Sequence, residues 1–147
     1  MHGFGDARPA LLSPLPEDLA EQVSRALRED IGPGDVTARL IPAGQVLRAH
    51  ILCREPAVLC AAPWAEAAFR QIDARIEVHW RARDGAAIAA DSVIAEIAGP
   101  ARGILTAERT ALNFLTHLSG VATLTRRSAD AAASGGGTAP VWDTRKT

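Results

Sequence analysis

The chain has 147 residues, 48% of them hydrophobic and 22% charged, with 16 Lys+Arg against 17 Asp+Glu and a formal net charge of −1. That balance belongs to an ordinary globular domain. It excludes the basic face that nucleic-acid binding requires, an apolar run near the roughly 18 residues of a membrane span, and a complete (β/α)8 barrel of about 250 residues. The N-terminus has no basic stretch followed by an apolar core, so no secretory signal is read and a cytoplasmic protein is expected.

Residues 1–14 carry Gly, Pro, Asp and Ser without apolar periodicity and read as a disordered tail. A helix is predicted over Pro16–Asp30, with Pro16 at its first position, Glu17 and Asp18 in the first turn, and Leu19, Val23 and Leu27 as one apolar stripe. Gly32 stops it and Gly34-Asp35 turns the chain. Residues 47, 49, 51 and 53 are apolar while Arg48 and His50 face the other way, the alternation of a half-buried strand. Val58-Leu59-Cys60 is expected to continue that sheet, and Pro63 to open a helix to Ala74 with Trp64, Ala68 and Ile72 on one face. Two more strands follow, at 76–80 and at 93–97, the second closed by Gly99-Pro100. The layer they make is α+β, antiparallel strands with helices on one face.

From Thr106 the pattern changes. Thr106 reads as the N-cap of a helix to Leu118, Ser119-Gly120 as an interruption, and Val121–Ala133 as a second helix. Gly135-Gly136-Gly137 is a linker, and Pro140-Val141-Trp142 is a strand entering Asp143-Thr144-Arg145-Lys146-Thr147. The division expected is therefore a tail at 1–14, an N-terminal α/β sandwich domain at 15–105, and linker helices plus the first strand of a second domain at 106–147, the whole being a truncated piece of a longer protein.

Two clusters carry candidate chemistry. Arg109 sits in the first turn of the expected helix, where the macrodipole disfavours a cation. Either Glu108 or a neighbour neutralises it, or helix N–H groups and the guanidinium converge on a carboxylate or phosphate. In Asp143–Thr147 the two adjacent cations, Arg145 and Lys146, must point to opposite faces of a strand, beside two hydroxyls and an acid. The donors suit a polyanionic ligand, or equally a solvated strand end. Lys146 is the only lysine of the chain.

Other features read as structure. Asp30–Thr37 is helix-to-strand punctuation rather than a phosphate loop. Cys53 and Cys60 are expected as buried, reduced thiols. His2, His50, His79 and His117 have no metal-ligand spacing with the cysteines or each other, and His117 is given a local helix-end capping role.

Glu29-Asp30-Ile31-Gly32, Gly34-Asp35-Val36-Thr37, Arg54-Glu55-Pro56, Leu105 through Asn113, His117-Leu118-Ser119-Gly120-Val121-Ala122-Thr123 and Asp143 through Thr147 follow one another in that order. Together they resemble the quinolinate phosphoribosyltransferases, the carboxylating nicotinate-nucleotide pyrophosphorylases of de novo NAD synthesis, over residues 17–147. The resemblance implies a hammerhead-like α+β sandwich domain followed by the start of an incomplete, TIM-like α/β barrel. It implies a reaction of quinolinate with 5-phosphoribosyl 1-diphosphate and Mg2+, giving nicotinate mononucleotide, diphosphate and CO2. In that family an arginine corresponding to Arg109 reaches the active site of the neighbouring subunit of a homodimer or hexamer and contacts a quinolinate carboxylate. Arg145 would bind quinolinate from its own barrel, Thr144 would line the pocket, and Lys146, as a catalytic cation, would serve the phosphoribosyl substrate or the shared anionic site. The magnesium ligands would lie beyond Thr147, so the fragment is expected to be inactive alone. Ala57, Cys60 and Ala61 stand where the family often carries glycine or alanine and read as packing changes.

Two alternatives remain at this level. A molybdenum-transport-associated relative would share the scaffold. A non-catalytic biotinyl- or lipoyl-like binding module would explain the strand pattern of residues 84–97, but it needs a lysine on a hairpin, and residues 1–145 contain none.

Overall fold

A computed structural model describes residues 14–135. The elements in order are α1 (Leu19–Ile31), a single 3-10 turn (Ala38–Leu40), β1 (Val46–Cys53), β2 (Ala57–Val58), α2 (Ala62–Ile72), β3 (Glu77–Trp80), β4 (Ala87–Ile88), β5 (Ser92–Pro100) and α3 (Ala101–Ser134). The described residues form the expected α+β layer. β5 lies between β1 and β3 in an antiparallel sheet, with Ala49 opposite Ile97, and Val78 opposite Ile97 on the other side.

The alternation expected in β1 is present: burial switches residue by residue, with Leu47, Ala49, Ile51 and Cys53 on the half-buried side. The outer face carries charge instead, and one row across it reads His50, Glu96, His79. Arg81 pairs with Glu96 on that face, and the guanidinium holds the Glu96 carboxyl below its ordinary range.

α1, α2 and α3 cover the inner face. Val23, Leu27, Phe69, Ile76, Val78, Ile94, Ile97, Ile104 and Leu115 form the core with small residues such as Ala65, Ala68, Ala107 and Ala111 between them. The small residues let the helices approach closely. At Gly103 an added Cβ would lie 3.1 Å from Asp73 Cβ and from Ile76 Cδ1. Phe69, Ile76 and Val23 are the largest fully buried side chains, and burial of each contributes about 1.5–3 kcal/mol.

Several expectations are corrected. α1 begins at Leu19, with Pro16 in the preceding turn, where its carbonyl accepts from Leu19 N–H at 3.1 Å. The segment after Pro56 does not extend the main sheet, because Ala57–Val58 pairs with Ala87–Ile88 in a separate two-stranded ladder. Residues 84–97 are accordingly split between two sheets and form no self-contained hairpin. Gly99-Pro100 does not close a strand either; both residues pair with β1, Leu47 opposite Gly99 and Val46 opposite Pro100.

Nor does a helix begin at Thr106. Pro100 is the N-cap of α3, which continues without a break through Ser119-Gly120 to Ser134. One helix of 34 residues replaces the two expected, and position 106 lies inside it. A lone serine and glycine are tolerated mid-helix when tertiary contacts hold the backbone. The expected tail up to residue 13, and the strand at Pro140–Trp142, lie outside the described residues.

Candidate functional site

The last turn of α1 and the loop after it face the N-terminal half of α3. Gly32 has φ 55 and donates its N–H to Arg28 O at 3.2 Å, ending α1. Gly34, at φ 140, donates to Ile31 O at 3.1 Å, which folds the chain back. The turn places two carboxylates against α3. Asp35 Oδ1 accepts from Ala38 N at 2.9 Å, and its Oδ2 accepts from the Thr106 hydroxyl at 2.9 Å. These two donors hold the Asp35 carboxyl below the usual carboxylate range, the backbone N–H contributing most.

Asp30 meets the next turn of the same helix. Its Oδ2 accepts from Thr110 Oγ1 at 2.9 Å, its Oδ1 pairs with Arg109 Nη2 at 2.5 Å, and its carbonyl accepts from the same Nη2 at 3.2 Å. Thr106, Arg109 and Thr110 stand one helical turn apart, at i, i+3 and i+4, and so share a face. Between loop and helix is a cleft of about 310 Å³ lined by Asp30, Gly34, Asp35, Thr106 and Arg109, with Val36 and Leu105 at its sides. The Arg109 side chain remains 70% exposed while that of Asp30 is 15% exposed.

Arg109 is therefore not in the first turn of its helix, and the macrodipole argument for an anion at that position does not apply: α3 starts two turns earlier. Its neutralising neighbour is Asp30, 79 residues away in sequence, rather than Glu108. Thr106 is not a cap; its hydroxyl serves Asp35. The acids of Asp30–Thr37 do punctuate the chain as expected, but they also hold α3. That role went unread in the sequence, where the signal was a helical face of Thr-x-x-Arg-Thr with no acid of its own at the right spacing.

Thr144, Arg145 and Lys146 lie outside the described residues. His117 is mid-helix, so the helix-end capping role is corrected. It lines a larger cleft of about 630 Å³ between α1, α2 and α3, together with Cys60, Trp64, Asn113 and Phe114. The motif that follows is structural. Ser119 and Thr123 bond the backbone of the β2–α2 connection at Cys60 and Val58.

Both cysteines are free and half-buried rather than fully buried. Cys53 Sγ donates to Glu55 O at 3.1 Å, and burial together with the nearby Asp84 charge pushes the Cys60 thiol up, keeping it protonated. Ala61 is more than a packing change: its φ of 77 is left-handed backbone. Asp84 stabilises that conformation by accepting from Ala61 N and Ala62 N at 2.9 and 3.0 Å. Among the described residues no three His, Cys, Asp or Glu side chains converge to hold a metal ion. Asp30 is committed to Arg109 and Thr110, and Asp35 to the Ala38 N–H and Thr106.

Residues 35–119 match the family model described as "Quinolinate phosphoribosyl transferase, N-terminal domain". Among curated proteins the chain is 38% identical over 132 residues to quinolinate phosphoribosyltransferase [decarboxylating] 2b, mitochondrial, of Nicotiana tabacum, covering 88% of this chain and 36% of that protein. It is 37% identical over 131 residues to nicotinate-nucleotide pyrophosphorylase [carboxylating] of Mycobacterium leprae, covering 86% and 45%. Of solved structures, NadC from Streptococcus pyogenes superposes with a TM-score of 0.84 at 31% identity, over 93% of this chain and 48% of that one. The nicotinate-nucleotide pyrophosphorylase from Francisella tularensis gives 0.79 at 35% identity, over 86% and 46%. The chain spans between a third and a half of the length of these relatives.

Proposed function

The chain belongs to the quinolinate phosphoribosyltransferase family, and on that premise we propose that it supplies the substrate-anchoring domain of an enzyme that joins quinolinate to 5-phosphoribosyl 1-diphosphate. In that reaction the pyridine nitrogen bonds to the anomeric carbon as the bond to diphosphate breaks. The quaternised ring then keeps the electron pair of the broken C–C bond as CO2 leaves, and that ring carbon takes up a proton from solvent, giving nicotinate mononucleotide.

The observation that carries this reading is the exposed guanidinium of Arg109, held at the mouth of a polar cleft by a carboxylate beneath it. Quinolinate bears two adjacent carboxylates, and a planar, always-charged fork is the matching donor. Arg145 and Thr144 are proposed to complete the quinolinate pocket, and Lys146 to meet charge on the phosphoribosyl donor, where fixed cations stabilise the departing diphosphate.

We further propose that Arg109 serves the site of a second copy. The cleft is bordered by Val36, 72% exposed, and Leu105, and Leu40 in the adjoining 3-10 turn is 81% exposed. Such large apolar side chains around an arginine suit burial against a partner. Homodimer and hexamer both satisfy this. Magnesium has no ligand set among the described residues, and its ligands are proposed to lie in the barrel. No described helix is long and apolar enough to cross a membrane; the compartment proposed is the cytoplasm, though the Nicotiana relative is named as mitochondrial.

The test is kinetic. In the full-length enzyme Arg109→Ala should raise the KM for quinolinate by about tenfold or more, the loss of one hydrogen-bonded charge pair. It should leave the KM for 5-phosphoribosyl 1-diphosphate in place. An unchanged quinolinate KM would remove Arg109 from the site.

A further inference from the structure

We propose that Asp30 is the positioning residue of Arg109, fixing the guanidinium so that three of its five N–H donors stay available to a dianionic ligand. This rests on the reading of Arg109 as a carboxylate anchor. The geometry begins at Nη2, which donates to Asp30 O at 3.2 Å and stands 2.5 Å from Asp30 Oδ1 in an ion pair. Nε–H and both Nη1 protons have no acceptor among the described residues. One nitrogen is thus clamped and the remainder of the fork is presented.

Asp30 is itself held. Thr110 Oγ1 donates to Oδ2 at 2.9 Å, from the residue next to Arg109 on α3. The carboxylate therefore cannot follow the arginine as it moves; it is tied to the same helix that carries the arginine. A long, exposed arginine otherwise loses its rotamer freedom when ligand binds. In this arrangement that freedom is lost during folding, which is the general route by which preorganisation raises affinity.

The position of Asp30 is locally unfavourable, which strengthens the assignment. It is the penultimate residue of α1, where the helix dipole disfavours an acid and free carbonyls lack donors. Arg109 and Thr110 satisfy both the carboxylate and the carbonyl. An acid placed against local preference, and answered only by residues 79 and 80 positions away, marks a tertiary role.

Orientation and electrostatics predict opposite signs. Asp30→Asn removes a negative charge beside the anchor, and charge alone would make a dianion bind more tightly. Positioning requires the reverse. In the full-length enzyme Asp30→Asn should raise the quinolinate KM by about tenfold, with kcat and the KM for 5-phosphoribosyl 1-diphosphate little changed. Thr110→Val should move it the same way by less, and Asp30→Glu should recover part of the loss. An unchanged or lowered quinolinate KM in Asp30→Asn overturns the proposal.

Arg109→Ala in the same assay separates the two claims. If it leaves the KM unchanged, the anchor reading fails; if it raises the KM and Asp30→Asn does not, only the positioning role fails. A second readout needs no activity. In the 147-residue chain the Arg109 Nε–H resonance should report an ordered side chain by 15N relaxation, and Asp30→Asn should make it mobile while the backbone amide spectrum stays dispersed. Equal order in both proteins also overturns the proposal, and Thr110→Val provides the same comparison if Asp30→Asn does not fold.

Discussion

The hydroxyl of Ser119 accepts from the backbone N–H of Cys60 at 3.0 Å and donates to the carbonyl of the same residue at 3.1 Å. One side chain thereby satisfies both polar groups of a residue that has no ladder partner in either sheet. Thr123, one turn further along α3, accepts from Val58 N at 2.8 Å and donates to Ser119 O at 2.6 Å. The pair fastens α3 to the strand-to-helix connection ahead of α2.

Ser119→Ala should destabilise the domain by about 1–3 kcal/mol, the cost of leaving part-buried backbone groups unpaired. Urea denaturation should show a lower midpoint at unchanged slope. A midpoint equal to wild type would mean that water replaces the hydroxyl without loss.

Gly99 and Gly103 should respond unequally to alanine. Gly99 has φ 154, and a Cβ there would lie 2.9 Å from Ile76 Cα and 3.2 Å from Arg75 O, both backbone atoms that cannot swing aside. Gly99→Ala should cost about 1–3 kcal/mol or more. Gly103→Ala meets side-chain atoms at 3.1 Å and recovers up to about 1 kcal/mol of helix propensity, so its net effect should be smaller. Paired thermal melts rank the two, and the reverse order would contradict this packing.

Asp84→Ala should loosen the start of α2. The carboxylate accepts from two N–H groups at the helix entry, Ala61 N and Ala62 N, and losing such a cap costs roughly 0.5–2 kcal/mol. The loss should appear as faster amide exchange in the first turn of α2 and a lower Tm. Exchange rates unchanged at 61 and 62 would show that another acceptor suffices.

Acid should weaken the fold through Asp73 and Asp35. Arg75, bonding through both its side chain and its backbone N–H, holds Asp73 down from 3.8 to about 2, and Asp35 is lowered by Ala38 N–H and Thr106. A folded-state pKa below the unfolded one gives stability that is complete above about 3.8 and lost as pH falls toward about 2. Arg75→Gln should flatten the stability profile across that interval by lowering stability above about 3.8, with stability near pH 2 unchanged. A profile as steep as wild type would assign the acid sensitivity elsewhere.

What the sequence made legible follows from range. Apolar periodicity is local, and α1, β1, α2 and β3 are found within a few residues of where it places them. Residues that usually terminate elements misled where distant contacts override them. Gly99-Pro100 reads as a stop, yet the sheet runs through both because Leu47 and Val46 pair opposite. Ser119-Gly120 reads as a break, yet Ser119 serves Cys60, 59 residues away. At the candidate site the motif order carried the family and with it Arg109, because the first-turn placement that singled out this arginine does not hold. Asp30 and Asp35 were not legible as partners of α3, since each answers a side chain more than seventy residues distant and no local pattern encodes such a pairing.

The length of α3 gives those two hydroxyl contacts a mechanical meaning. Beyond Thr123 the helix continues for eleven residues to Ser134, an overhang of about 16 Å at 1.5 Å per residue, and most of its side chains there are exposed. Among the described residues it is a cantilever, tied at Ser119 and Thr123. A rotation of about 10° at the clamp sweeps that tip through about 3 Å over such a length. The bearing of the described overhang is thus set by the packed half of the helix, with the two hydroxyl groups as its last tie.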